Sequence, residues 1–237
     1  MIPLRDANPT RRTPVVTLAL ISACAAVFAI ELSVEASGGE AALSQFFDTW
    51  GAVPGRISAA LDGTGDPGQA ATGVVASLFL HGGWYHLIGN MLFLWIFGNN
   101  IEDRLGRLPY LVFYLLGGIA AALAQVWIEP SSEVPLVGAS GAIAATLGAY
   151  IVLYPRARIL TLVFLVFFYQ LIEVPAVIIL AFWFLLQLVD GVASLGAPTA
   201  QGGVAFFAHI GGFVAGAVVG VVVRTTTRRA PRNPGWP

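Results

Sequence analysis

The chain has 237 residues, of which 57% are hydrophobic and only 11% are charged. Soluble domains carry about 25% charged residues, so this composition excludes an ordinary water-soluble fold and indicates a protein that spans a lipid bilayer. The 12 basic residues are all Arg and nearly balance the 13 acids, with no basic block long enough to follow a phosphate backbone. We therefore expect no nucleic-acid partner. Because Cys24 is the single cysteine, an intrachain disulfide and a metal site built on cysteine pairs are both excluded.

Six apolar segments approach the length of about 20 residues that a transmembrane helix needs. In chain order they are Val15 to Leu32, Leu78 to Phe97, Leu108 to Ile128, Leu136 to Tyr154, Ile172 to Val189 and Val204 to Val223. A further apolar segment, TLVFLVFFYQ at residues 161–170, is predicted to lie at the membrane interface or to re-enter the membrane. The sequence thus predicts an all-α membrane protein, a six-transmembrane-helix bundle over residues 15–223.

The segments outside these helices differ in charge. All arginines except Arg56 lie in residues 1–14, 104–107, 156–158 and 224–232, which fall on one side of a six-helix bundle. Short Arg-rich segments stay in the cytoplasm, so both termini are predicted to be cytoplasmic. The polar, Gly-rich connection at about 35–77 is then extracytoplasmic. Residues 1–14 form a cytoplasmic N-terminal segment, and residues 224–237 form a cytoplasmic disordered tail.

Polar side chains at membrane depth are costly, so those that occur are functional candidates. The sequence contains four of these candidates, namely His86, Asn90, Ser140 and His209. Counting helical rise from the predicted start of each span places His86, Ser140 and His209 in the outer leaflet. A hydroxyl beside an imidazole is the arrangement of a nucleophile and its base. We therefore predict that Ser140 and His209 form a catalytic dyad without an orienting carboxylate, since span six contains none.

Small residues predict how the dyad is assembled. Glycines at positions 212, 216 and 220 follow His209 on one helix face, and Ala144 and Gly148 follow Ser140 on another. Packing these two faces together would bring the two functional groups within hydrogen-bond distance. The residues assigned to this close helix packing are Gly138, Gly141, Gly212 and Gly216.

Donors for an oxyanion are predicted around the same serine. Ser140 lies in the segment GASG after Pro135, so its peptide N–H belongs to a helix N-terminus, where unpaired amides carry partial positive charge. His86 and Asn90, spaced i and i+4, supply further donors from one helix face. These groups could together stabilise the anion of a tetrahedral intermediate.

Structural explanations exist for each feature taken singly. A membrane serine often bonds its own i−4 carbonyl, a glycine stripe often serves packing alone, and a lone histidine can line a proton path. GASG lacks the Lys and Thr or Ser of a phosphate loop, and HLIGN lacks zincin spacing. We therefore expect neither a cofactor nor a metal.

Three segments resemble the rhomboid family of intramembrane serine proteases. They are HGGWYHLIGNMLFLWIFGNNIEDRLG from His81, VPLVGASGAIAATLGAYIVLYPRAR from Val134, and AHIGGFVAG from Ala208. The resemblance implies Ser140 as nucleophile, His209 as general base, and His86 and Asn90 as oxyanion-hole side chains. It also implies a structural turn at Gly98, Glu102 and Arg104, and membrane proteins with a transmembrane segment as substrates.

One departure from the family pattern concerns the position four residues after the serine. Some members have an aromatic ring there that packs on the base, whereas this chain has Ala144, and Tyr169 or Trp183 are candidate substitutes. Two other functions stay open: a catalytically inactive rhomboid-like binder of membrane proteins, and a small transporter or channel. Arg-only basic residues and Ala/Gly richness indicate a bacterial plasma membrane. The oligomeric state, natural substrate and cleavage site are not predicted.

Overall fold

The computed structural model describes residues 2–165, 168–195 and 205–226. Helices predominate, as predicted. The helices are α1 (Val15–Trp50), α2 (Pro54–Leu61), α3 (Pro67–Ser77), α4 (Trp84–Phe93), α5 (Asn99–Leu105), α6 (Arg107–Ile128), α7 (Ser140–Leu153), α8 (Ala176–Ser194) and α9 (Phe206–Thr226), with a π-helical turn at Leu94–Gly98 joining α4 to α5. The strands are β1 (Ile2–Asp6), β2 (Arg158–Leu165) and β3 (Phe168–Pro175).

Among the described residues, four helices are long and apolar enough to cross a membrane, namely α1, α6, α8 and α9. Helix α7 is apolar but shorter. Each of the six predicted spans contains helix, although the bounds differ. The closest agreement is at α6, whereas the predicted second span starts in the structure only at Trp84. The predicted start of the sixth span, Val204, lies outside the described residues, as do positions 227–237 of the predicted tail, whereas residues 224–226 still belong to α9.

The prediction of an all-α fold is wrong for two segments. Strands β1, β2 and β3 form an antiparallel sheet in that order, and β2 pairs with β3 from Arg158↔Pro175 to Leu165↔Phe168. The segment TLVFLVFFYQ is rich in β-branched and aromatic residues, which favour strands. The pairing of β2 with β3 lets the backbone groups of these strands bond to each other without a helix. The predicted location of this segment at the membrane interface stays a prediction.

The predicted connection at 35–77 is largely helical. Helix α1 continues well beyond Leu32 and bends at Gly39, whose φ of 69° is accessible to glycine at low cost. Helices α2 and α3 each begin with proline, at Pro54 and Pro67, where the missing N–H costs no helical hydrogen bond. The sequence predicted a polar, Gly-rich connection at 35–77 without assigning its structure, and the structure shows that the prolines there start helices.

Helix α7 begins at Ser140, whereas the sequence predicted a start at Leu136. Leu136 exchanges two backbone hydrogen bonds with Ala52, of 3.1 and 2.8 Å, and the Gly138 N–H donates to the Ser77 carbonyl at 2.9 Å. These bonds hold residues 136–139 outside a helix. Ser140 is consequently the first residue of α7. Its peptide N–H lies at the helix N-terminus, as predicted.

Helix α7 lies at the centre of the bundle, and residues 141–150 are all buried. It packs between α6 and α9. A Cβ built on Gly117 of α6 would lie 2.5 Å from the Cβ of Ala145 in α7, and one built on Gly148 of α7 would overlap the backbone of Phe213 in α9. Glycine at these positions allows the backbones to approach closely, which fixes where both ends of α7 lie.

The segment that the family resemblance assigns to a structural turn anchors α1. The buried carboxylate of Glu102 accepts hydrogen bonds from the N–H groups of Val16 and Thr17, at 2.9 and 2.8 Å, and from the Thr17 hydroxyl at 2.8 Å. These are amides at the start of α1 that have no partner within the helix. Glu102 therefore caps α1 from α5.

Candidate active site

Ser140 and His209 lie in direct contact. The Ser140 Oγ and the His209 Nε2 are 2.6 Å apart, although the two residues are separated by 69 positions in the sequence. Ser140 is the first residue of α7, and His209 lies in the first turn of α9. The sequence predicted this pairing from residue types and helix faces, and the structure brings the two groups together.

Glycines set the close approach of the two helices. A Cβ on Gly212 would overlap the carbonyl oxygen of Gly141, and a Cβ on Gly216 would overlap the carbonyl oxygen of Ala145. The stripe predicted on α9 is therefore the contact surface. On α7 these contacts fall on Gly141 and Ala145, and Gly148 meets the backbone of Phe213 in α9. The predicted packing residues Gly141 and Gly148 therefore lie at the contact, with Ala145 beside them rather than the predicted Ala144.

A hydrogen bond from α8 orients the imidazole. The Nδ1 of His209 lies 2.6 Å from the Oε1 of Gln187. An amide oxygen only accepts, so Nδ1 carries the proton and Nε2 keeps its lone pair for the Ser140 hydroxyl. This is the tautomer that a general base needs.

The aromatic contact expected near the base is supplied by α8. The ring of Trp183 lies 5.9 Å from the His209 ring, at an interplanar angle of 38°. Trp183 therefore supplies the aromatic contact with His209 that the small side chain of Ala144 cannot make. Tyr169, the other candidate, lies in β3 and is exposed. Sequence reasoning missed Gln187, although a polar residue one helical turn after Trp183 in an apolar span was a usable signal.

Ser140 and His209 open into a cavity of about 630 Å³. His86 and Asn90 of α4 also line it, on the side facing the start of α7. The Asn90 Nδ2 is buried and has no hydrogen-bond partner in the described structure. A buried unpaired amide is costly, so an unpaired donor here is consistent with a group kept for a ligand oxygen.

The ring of His86 is positioned by two backbone features. The Gly82 N–H donates to its Nδ1 at 3.4 Å, which leaves Nε2 as the protonated, donating nitrogen. A Cβ on Gly138 would lie 2.7 Å from that Nε2, and Gly138 has a φ of 128°. Gly138 is therefore needed both for its conformation and for the space beside His86, which explains its place in the segment GASG.

The start of α7 adds backbone donors to the same cavity. Ala139 at the N-cap offers no side-chain acceptor, so the first amides of α7 are not capped by that residue. Amides at a helix N-terminus carry partial positive charge and favour an anion. Ser140, His86 and Asn90 thus line one cavity, and their role as donors to an oxyanion stays a prediction.

Two residues not singled out as functional support the site from outside. Gln125 of α6 accepts a hydrogen bond from the Ala208 N–H at 3.1 Å, which fixes the start of α9 beside His209. His81 is buried, and its backbone N–H donates to the Glu31 carboxylate at 2.9 Å. The His81 ring also lies edge-on to that of His86, at 5.2 Å.

Comparison with known proteins identifies one family model, the Rhomboid domain, over residues 68–226. The chain is 36% identical over 95 residues to "Rhomboid protein 1, mitochondrial" of Saccharomyces cerevisiae, covering 38% of this chain and 28% of that protein. It is 33% identical over 150 residues to "Rhomboid protease GluP" of Bacillus subtilis, covering 62% of this chain and 26% of that protein. The matched parts therefore span less than a third of either relative.

Proposed function

Because this chain belongs to the rhomboid family, we propose that it is an intramembrane serine endopeptidase that uses Ser140 and His209. The observation that carries the proposal is the 2.6 Å distance between the Ser140 Oγ and the His209 Nε2. A serine hydroxyl is a weak nucleophile unless a base removes its proton, and His209 is held in the tautomer that can do so.

The reaction follows from the positions of these groups. As the Ser140 Oγ attacks the peptide carbonyl, His209 Nε2 takes the hydroxyl proton and the carbonyl oxygen becomes an oxyanion. Donors from the Ser140 N–H, His86 and Asn90 stabilise that charge. His209 then gives its proton to the leaving amine, which leaves an acyl-enzyme. A water molecule, deprotonated by His209, hydrolyses the ester and restores Ser140.

The proposed substrates are transmembrane segments of other membrane proteins. Helix α7 has 14 residues, which span about 21 Å, less than the hydrocarbon thickness of about 30 Å. Ser140 at its start would therefore lie below the membrane surface, within reach of a substrate helix near its outer end. A helical peptide bond is shielded by its own hydrogen bonds, so substrate segments with Gly or polar residues should unwind and react more readily.

The full topology is part of the same proposal. We assign six crossings by adding α7 and the run from α4 to α5 to the four long apolar helices, with both termini in the cytoplasm and the cavity on the extracytoplasmic side. The proposed location is a bacterial plasma membrane, as a multi-pass integral protein, on the grounds of composition. The asymmetric distribution of arginines supports this orientation.

Labelling with a fluorophosphonate tests the chemistry directly. Wild-type protein should be labelled, whereas Ser140→Ala and His209→Ala should neither be labelled nor cleave a model membrane substrate. Ser194→Ala is a matched control, because its hydroxyl bonds the Gly191 carbonyl on α8 and is not in the cavity lining. Turnover by purified Ser140→Ala would end the assignment. Absence of labelling in a correctly folded wild type would favour a non-catalytic binder or a transporter.

A further inference from the structure

A second cavity lies at the opposite end of α7 from the candidate active site. It has a volume of about 1030 Å³ and is lined by the end of α7, the turn into β2 and the last turns of α9. Ser140 opens α7, whereas Val152 and Leu153 at its end line this cavity, so about 20 Å of helix separates the two sites. The dyad mechanism uses no residue of this cavity.

Three arginines converge on the cavity from three different elements. Arg104 comes from α5, Arg156 from the turn after α7, and Arg224 from the last turn of α9. The described lining includes no carboxylate. Like charges gathered in one concave site repel each other, and an anion placed between them relieves that repulsion. Guanidinium groups also match the geometry of phosphate oxygens.

The arginines differ in the hydrogen bonds that their guanidinium groups make within the protein. Arg224 donates one bond, of 3.3 Å, to the carbonyl oxygen of Val152 at the end of α7, which leaves its other donors available. Within the described parts of the chain, Arg156 has no hydrogen-bond or ion-pair partner, and its side chain is exposed. At least one guanidinium at the cavity, that of Arg156, therefore makes no polar contact with the described residues.

Asp103, which precedes Arg104 in the chain, and Asp6, near Asn8 of the lining, both accept hydrogen bonds from other groups. Asp6 accepts hydrogen bonds from Tyr150 and Asn100, both at 2.6 Å, and Asp103 accepts from the Arg11 N–H at 3.2 Å. Burial is the main cause that raises the pKa of Asp6. Neither carboxylate lines the cavity, and Arg156 has no ion-pair partner within the described residues.

We propose that this cavity binds a phosphate-bearing anion between Arg104, Arg156 and Arg224. The shared chemistry is a phosphate group, which a lipid headgroup or free phosphate could provide. The site lies between the ends of apolar helices, where basic cavities suit anionic lipid headgroups. A phosphate held by Arg156 and Arg224 would join the end of α7, which carries Ser140, to the end of α9, which carries His209. Binding would thereby stabilise the folded helix pair.

The test uses the full chain purified in an uncharged detergent. Thermal unfolding and native mass spectrometry are measured with phosphatidylglycerol, phosphatidylcholine or inorganic phosphate added. We expect phosphatidylglycerol to raise the unfolding temperature and to be retained, with phosphatidylcholine doing neither. Charge-assisted hydrogen bonds are the strong ones, so Arg156→Gln should weaken the apparent affinity by about tenfold, and Arg156→Gln with Arg224→Gln by more. Added salt should weaken it as well.

The matched control is Arg107→Gln, which removes an exposed arginine from the start of α6 outside the cavity and should bind like wild type. Inorganic phosphate that stabilises wild type and competes with the lipid would identify free phosphate as a sufficient ligand. Retention of phosphatidylglycerol in excess phosphate would identify the lipid as the source. The proposal is overturned if Arg156→Gln and the double variant bind phosphatidylglycerol like wild type, or if Arg107→Gln weakens binding equally. None of these measurements requires proteolysis, so they stand apart from the proposed catalytic function.

Discussion

Replacing Gln187 with methionine tests whether α8 orients the catalytic base. Methionine has nearly the same volume and flexibility as glutamine but cannot accept the 2.6 Å hydrogen bond from His209 Nδ1. The Nδ1–H group would then be left without its acceptor, and the ring would lose its preference for the tautomer that presents Nε2 to Ser140. We expect Gln187→Met to insert and fold but to cleave slowly.

The size of the effect follows from the change in charge at His209. A neutral hydrogen bond contributes about 1 kcal/mol, whereas one to a charged group contributes about 1.5–3 kcal/mol. The bond to Gln187 strengthens as the imidazole becomes imidazolium, so its loss should raise the barrier by roughly 1–1.5 kcal/mol, or about tenfold in rate. Rotation of the unanchored ring adds to this loss, up to about 100-fold in total. Gln187 does not line the cavity, so kcat should fall with little change in KM.

Steady-state cleavage of a model transmembrane substrate measures kcat and KM, with thermal unfolding as the check on folding. Gln187→Glu keeps an acceptor and should retain most activity near neutral pH. Its carboxylate favours the protonated imidazole, so activity should be lost on the acidic side at a higher pH than in wild type. Ser194→Ala on the same helix is the control. A wild-type kcat in Gln187→Met would refute the claim that this bond orients the base.

Three further changes test other parts of the structure. Gly212→Leu should insert normally but lose most proteolysis and fluorophosphonate labelling, since any side chain there overlaps α7; wild-type activity would contradict the packing argument. Asn90→Ala should lower kcat by about 10²- to 10³-fold through loss of one oxyanion donor, measured on the same substrate. Glu102→Ala removes three hydrogen bonds at the start of α1 and should lower the free energy of unfolding by about 3 kcal/mol or more, against little change for exposed Glu35→Ala.

Much of the site could be predicted because its chemistry is carried by residue types that membranes rarely tolerate. Ser140, His209, His86 and Asn90 were identified as polar groups in apolar segments, and glycine periodicity indicated which side of α9 packs closely. The predicted depth of Ser140 was counted from a helix start at Leu136, whereas α7 starts at Ser140 itself. The pairing of Ser140 with His209 does not depend on that count, because the two residues lie in the first turns of α7 and α9. The depth of both residues in the membrane stays a prediction.

The sequence by itself determined that the chain belongs in a membrane, that it is mostly helical and that it resembles the rhomboid family. It also identified Ser140, His209, His86 and Asn90 as candidates. These conclusions depend on the length of apolar segments and on the cost of polar groups within them, which are local properties of the chain. The tertiary structure decided what depends on contacts between distant segments. Gln187 reaches His209 only because α8 packs against α9, and residues 136–139 stay outside α7 because Leu136 bonds to Ala52 and Gly138 bonds to Ser77. Strands β2 and β3 formed for the same kind of reason: their apolar sequences fit a helix or a strand, and pairing with β1 from the other end of the chain is a contact that no local pattern encodes.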